Sequence, residues 1–112
     1  MNLTAEDLDT ATVIHVPEAR IDAAVAIRFK DSMRALTDQA GERVILNLET
    51  VTFIDSSGLG AIVAAMKQMR DDQALELAAL NPNVAKVFRL TRMDTVFTIH
   101  EALERTDQAN AG

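Results

Sequence analysis

Phe53-Ile54-Asp55-Ser56-Ser57-Gly58-Leu59-Gly60 lies between two runs of opposite periodicity. Before it, Val44-Ile45-Leu46-Asn47-Leu48 is nearly continuously apolar, as expected of a central strand covered on both faces. After it, Leu59 to about Arg70 places Leu59, Ile62, Val63 and Met66 at helical spacing. Two hydroxyls and two glycines therefore stand where a strand hands over to a helix that opens at about Ser56. A helix start carries unpaired backbone N–H groups and the positive end of the dipole, so it accommodates an anion. A phosphate on Ser56 or Ser57 is compatible with the fold there, while a protein docked on the same spot would meet its charge directly.

Working outward, Thr12 to Val16 reads as a β-branched strand stopped by Pro17, and residues 2–8 as an edge strand before it. Asp22 is expected to cap a helix running to about Ala40 and ended by Gly41, with Val25, Phe29, Met33, Leu36 and Ala40 on one face. Asp71-Asp72 makes a turn into a strand over Ala74 to Ala79. Asn81-Pro82 opens a further helix, with Val84, Val87, Phe88 and Thr91 on one face. Thr95 to Phe97 is expected as a short strand. Thr98-Ile99-His100-Glu101 has the form of a capping box and is expected to open a last helix with Ile99, Ala102 and Leu103 inward. The order β-β-α-β-α-β-α-β-α predicts an α/β fold: a small, mixed, mostly parallel sheet of four to five strands, its first pair antiparallel, with four helices packed over it. Residues 1–106 are expected to form one domain and 107–112 a polar tail.

The chain has 112 residues and 48% hydrophobic content, which suits one packed domain. It has no Trp or Tyr and four Phe, so the core must be mostly aliphatic. A net charge of −6 argues against sequence-independent nucleic-acid binding and against an anionic membrane surface. Without cysteine there is no disulfide, thiolate metal site or thiol nucleophile. Two histidines, His15 and His100, make a poor metal set, and no cofactor is called for. The acidic start, Met1 to Asp7, is unlike a secretory leader, and no run is long enough for a membrane span, so a cytoplasmic location is expected.

An enzyme is not expected. A serine nucleophile elbow requires glycine two residues before the serine, where this chain has Ile54. A nucleotide phosphate loop requires lysine after its last glycine, and Ala61 follows Gly60. Gly58 and Gly60 serve either close helix–sheet packing or the close approach of a partner backbone. Met66, Met69 and Met93 fit core filling, although Met69 falls off the main apolar face and is a candidate for a partner surface.

The loop and its flanks resemble the STAS-domain family, and within it the anti-sigma factor antagonists of bacterial partner switching. Asn47 to Gly60 is similar to the family's phosphorylation loop almost residue for residue. Ala19-Arg20-Ile21-Asp22 and Asn81-Pro82-Asn83-Val84-Ala85-Lys86-Val87-Phe88 resemble two further family segments. The resemblance implies a binding switch. The unphosphorylated protein binds an anti-sigma factor that is also an ATP-dependent serine kinase, and so frees a sigma factor. Phosphorylation of the loop serine, here Ser56, releases the partner, and a serine phosphatase resets the cycle. Asp22, Asp55, Ser56, Ser57, Gly58, Leu59 and Gly60 would then form the partner-binding surface of a protein that is monomeric when free. Three departures from the family pattern, Ala19, Asp71-Asp72-Gln73 and Arg92-Met93-Asp94, stand where glycine is frequent, and none removes the acceptor. The alternative within the family is a docking subunit of a lipid- or anion-transport assembly, or of a sensory one, without a phosphorylation cycle.

Overall fold

A computed structural model of the chain describes residues 1–103. Its elements are β1 (Thr4–Asp7), β2 (Thr12–His15), β3 (Arg20–Ile21), α1 (Ala26–Asp38), β4 (Arg43–Asn47), β5 (Phe53–Ile54), α2 (Ser56–Lys67), β6 (Ala74–Ala78), α3 (Pro82–Leu90), a 3-10 turn (Met93–Thr95) and β7 (Thr98–His100). Five strands form the main sheet in the order β1-β2-β4-β6-β7. The β1–β2 pair is antiparallel, and every other pair in this sheet is parallel. The three crossover helices α1, α2 and α3, each returning the chain to a parallel neighbour, account for this. β3 and β5 form a separate parallel pair, with Arg20 opposite Phe53 and Ile21 opposite Ile54.

The strand alternation sorts the sheet into two faces. Ile14, Val44, Leu46, Leu75 and Leu77 point to one face and pack with Phe29 and Met33 of α1, Ala61, Ile62 and Ala65 of α2, and Val84 and Phe88 of α3. Phe88 meets Phe97 edge to face with ring centroids 6.0 Å apart, the only aromatic pairing among the described residues. The opposite face carries a smaller cluster, Val13, Ile45 and Ala78, against Leu8, Ala11 and Leu103. β4 is thus buried on both sides as its apolar run implied, but among the described residues all three helices pack on the first face.

Polar groups on the second face are paired. Glu76 accepts from Arg43 Nε at 3.0 and 3.1 Å and lies 2.6 Å from His100 Nε2. Burial pushes the Glu76 carboxyl up, but the hydrogen bonds and charges of Arg43 and His100 outweigh it and hold the group below the ordinary glutamate range. His15 lies 2.8 Å from Glu6 and 3.0 Å from Asn47 Nδ2.

Four expectations are corrected. Thr98 to His100 is a strand, not the opening of a helix: it pairs in parallel with Glu76 to Ala78, and the His100 carbonyl accepts from Ala79 N–H. Pairing with the exposed edge of β6 overrides the capping-box pattern. The segment expected as a strand, Thr95 to Phe97, instead leaves a 3-10 turn with Phe97 buried. Three α-helices are therefore described rather than four. Asp22 does not cap α1, whose N-terminal flanking residue is Val25 with no side-chain cap; Asp22 closes a preceding turn by accepting from Ala24 N–H at 3.1 Å. Gly41 does not end α1 in a left-handed conformation: the helix stops at Asp38, and no glycine among the described residues has positive φ. The boundary expected at residue 106, and the tail after it, lie outside the described residues.

Candidate functional site

The octapeptide forms β5 and the first turn of α2. Asp55 is extended (φ −106°, ψ −176°) and caps the helix, its Oδ1 accepting from Gly58 N–H at 2.8 Å. Its other oxygen accepts from Ala23 N–H at 3.2 Å, across 32 residues of sequence. One carboxylate therefore ties the start of α2 to the turn that holds Asp22. Leu59 N–H begins the helical ladder by bonding Asp55 O at 2.9 Å. The N–H groups of Ser56 and Ser57 are the ones the cap leaves over.

Ser56 and Ser57 are both exposed, and among the described residues neither hydroxyl has a hydrogen-bond partner. The capping role is taken by Asp55. Leu59 is half-buried and packs against the core. The two glycines divide. A Cβ on Gly58 would lie 1.9 Å from the Ile21 carbonyl oxygen, so this glycine permits the contact of α2 with β3. A Cβ on Gly60 would meet nothing within 4 Å, so close packing does not explain Gly60.

Two residues beside the site escaped the sequence reading as surface features. The Arg20 guanidinium stacks 4.1 Å above the Phe53 ring and pairs with Asp22 at 3.2 Å. Phe53 is 39% exposed. In the two-residue strand β5, Ile54 faces the core, so alternation alone sends Phe53 outward; that signal was available in the sequence. Arg20 becomes its neighbour only through the β3–β5 pairing. Met69, the methionine considered for a partner surface, packs against the core, as do Met66 and Met93. Among the described residues no group of acids and histidines is arranged to hold a metal, and no helix is long and apolar enough to cross a membrane.

The strand–cap–helix corner can be set beside known proteins. A family model described as the STAS domain matches residues 2–106. The chain belongs to the STAS domain family. Among STAS relatives, the anti-sigma-B factor antagonist of Listeria monocytogenes is 28% identical over 102 residues, covering 88% of this chain and 90% of that protein. A solved STAS-domain anti-sigma factor antagonist from Planctomyces limnophilus superposes with a TM-score of 0.82 at 22% identity, covering 98% of both chains. The anti-sigma factor antagonist SpoIIAA, solved in its unphosphorylated form, matches at a TM-score of 0.66 and 20% identity, covering 98% of this chain and 97% of its own. Its phosphorylated form, described as a Bacillus cell fate determinant, matches at 0.65 and 20%, covering 99% and 100%. These solved structures establish the STAS fold of the chain.

Proposed function

We propose that this STAS protein is an anti-sigma factor antagonist whose binding is switched by phosphorylation of Ser56. Unphosphorylated, it binds an anti-sigma factor with serine kinase activity and so releases a sigma factor; phosphorylated, it lets go, and a serine phosphatase restores it. The surface assigned to the partner comprises Asp22, Asp55, Ser56, Ser57, Gly58, Leu59 and Gly60. The observation that carries this reading is the exposed Ser56 hydroxyl at the first position of α2, beside a cap that does not use it. The names of relatives matched over most of both chains support the antagonist role, and SpoIIAA is a protein of this fold known in both phosphorylation states.

The physics suits a switch of partners rather than of fold. A phosphoserine carries about −1.5 to −2 charges. At a helix N-terminus the dipole favours it by roughly 0.3–1 kcal/mol. Asp55 keeps both of its N–H partners, so the corner stays closed. The same charge against a partner surface that offers no matched cation costs several kcal/mol, and each ~1.4 kcal/mol is tenfold in affinity. The test is incubation with ATP and candidate anti-sigma kinases, with mass spectrometry to locate the phosphate. Ser56→Ala is expected to abolish labelling, and full labelling of that variant would refute the assignment. Ser56→Asp is expected to weaken anti-sigma binding by roughly 100-fold with little change in Tm; a large fall in Tm would make Ser56 a structural residue.

A further inference from the structure

The end of α3 differs in character from the rest of this acidic surface. Lys86, Arg89 and Arg92 fall within seven residues, and Asp94 is the one acid between Lys86 and Val96. All three cations are exposed, and among the described residues none takes part in an ion pair. Lys86, Arg89 and Leu90 are spaced by three and four positions and so share one helix face. Leu90 is 72% exposed and Val96, in the turn that follows, 48%. One exposed leucine needs no explanation; two exposed aliphatic side chains within a few residues of three cations that have no ion pair among the described residues, in a chain of net charge −6, do.

Arg92 adds an independent observation. Its backbone is left-handed, with φ 62° and ψ 16°. Glycine adopts that conformation without strain and arginine does not. The chain thus keeps a cation where the turn favours glycine, one of two non-glycine residues with positive φ among the described residues, the other being Ala79.

We propose that this face docks an acidic, amphipathic segment of a protein partner, with carboxylates against Lys86, Arg89 and Arg92 and apolar side chains on Leu90 and Val96. Charge complementarity selects the occupant. An extended anionic lipid surface would be repelled by the remainder of a molecule with 17 acidic side chains, and a polyphosphate chain, base edges or sugars would leave the two aliphatic residues uncovered. A short segment meets only the basic patch. The site is also separate from Ser56. Asn81 anchors the start of α3 to the Glu49 and Val51 carbonyls, in the segment between the C-terminal end of the central strand β4 and β5, from which α2 departs. The helix then runs about 13 Å back toward the N-terminal ends of the parallel strands, where β7 begins. A second partner can therefore occupy it whatever the phosphorylation state.

The test titrates the full isotope-labelled chain with a short peptide of Glu and Leu at helical spacing and follows backbone amide shifts. Saturable shifts confined to residues 86–96, weakened by added salt, are expected. Arg89→Glu with Arg92→Glu should reduce affinity by about tenfold or more. Arg92→Gly should also reduce it while raising Tm, which a purely structural arginine would not do. Ser56→Asp should bind the peptide as the parent does, so this result stands or falls apart from the switch at Ser56. Shifts elsewhere, unchanged affinity in the charge-reversed variant, an unchanged affinity in Arg92→Gly, or preferential binding of duplex DNA or phosphatidylglycerol vesicles would overturn the proposal.

Discussion

Exchanging each of two glycines of one helix for alanine is expected to move stability in opposite directions. At Gly58 the new Cβ would sit 1.9 Å from the Ile21 oxygen and 2.7 Å from its carbonyl carbon, both backbone atoms with no rotamer to yield. Carbon–oxygen contacts settle at about 3.3 Å, so α2 and β3 must part by more than an ångström. That movement strains the Asp55 bonds to Gly58 and Ala23 as well as the β3–β5 pair. Overpacking of this kind costs about 1–3 kcal/mol, and a weakened cap adds up to about 2 kcal/mol. Alanine's better helix propensity returns about 0.5–1 kcal/mol. The net is centred on a loss of about 2 kcal/mol, and at about 4–8 °C per kcal/mol Tm falls by roughly 8–16 °C. At Gly60 the Cβ meets nothing within 4 Å, so only the propensity gain of about 0.5–1 kcal/mol remains and Tm rises by a few degrees. Thermal and urea unfolding followed by circular dichroism, on both variants beside the parent, measure this directly. A Gly58→Ala protein as stable as the parent would refute the packing argument, as would equal losses at both sites.

Asp55→Ala is expected to cost about 1–2 kcal/mol in urea unfolding through loss of the helix cap, whereas Asp55→Asn keeps the cap to Gly58 N–H but turns its amide NH2 toward Ala23 N–H and should lose about 0.5–1.5 kcal/mol. Asn81 presents its amide to two carbonyls, Glu49 O at 3.0 Å and Val51 O at 2.6 Å, and makes no side-chain cap to α3. Asn81→Ala should therefore cost about 1–3 kcal/mol. Asn81→Asp should be worse than Asn81→Ala, because it sets a carboxylate against both oxygens; a better result for Asp would show that capping dominates. Glu76→Gln should lose about 1–3 kcal/mol at neutral pH. The Glu76 pKa is lowered in the folded state, so its contribution is full above the ordinary glutamate pKa and disappears as pH falls through the folded value. Urea midpoints of parent and variant should converge in acid, and a gap independent of pH would refute the assignment.

The order of the longer elements through α3, the antiparallel first pair and the handover from strand to helix at Asp55-Ser56 were legible in the sequence. Each rests on local signals: a continuous apolar run at Val44 to Leu48, helical spacing from Leu59, and an Asp at the junction. So was the exposure of Ser56, since the first turn of a helix beginning on a polar pair faces solvent. What the tertiary structure decided are relations between distant segments. Thr98 to His100 carries a helix-opening pattern, yet an unpaired sheet edge at Glu76 to Ala78 makes it a strand. Asp22 looks like a cap, but the turn it closes is held by Asp55, 33 positions away. Gly58 and Gly60 are indistinguishable in sequence, and only the approach of the Ile21 carbonyl to one of them gives them different roles. Periodicity and capping report energies over three or four neighbouring residues; edge pairing and interatomic clearance depend on what the folded chain brings alongside, which no local pattern encodes.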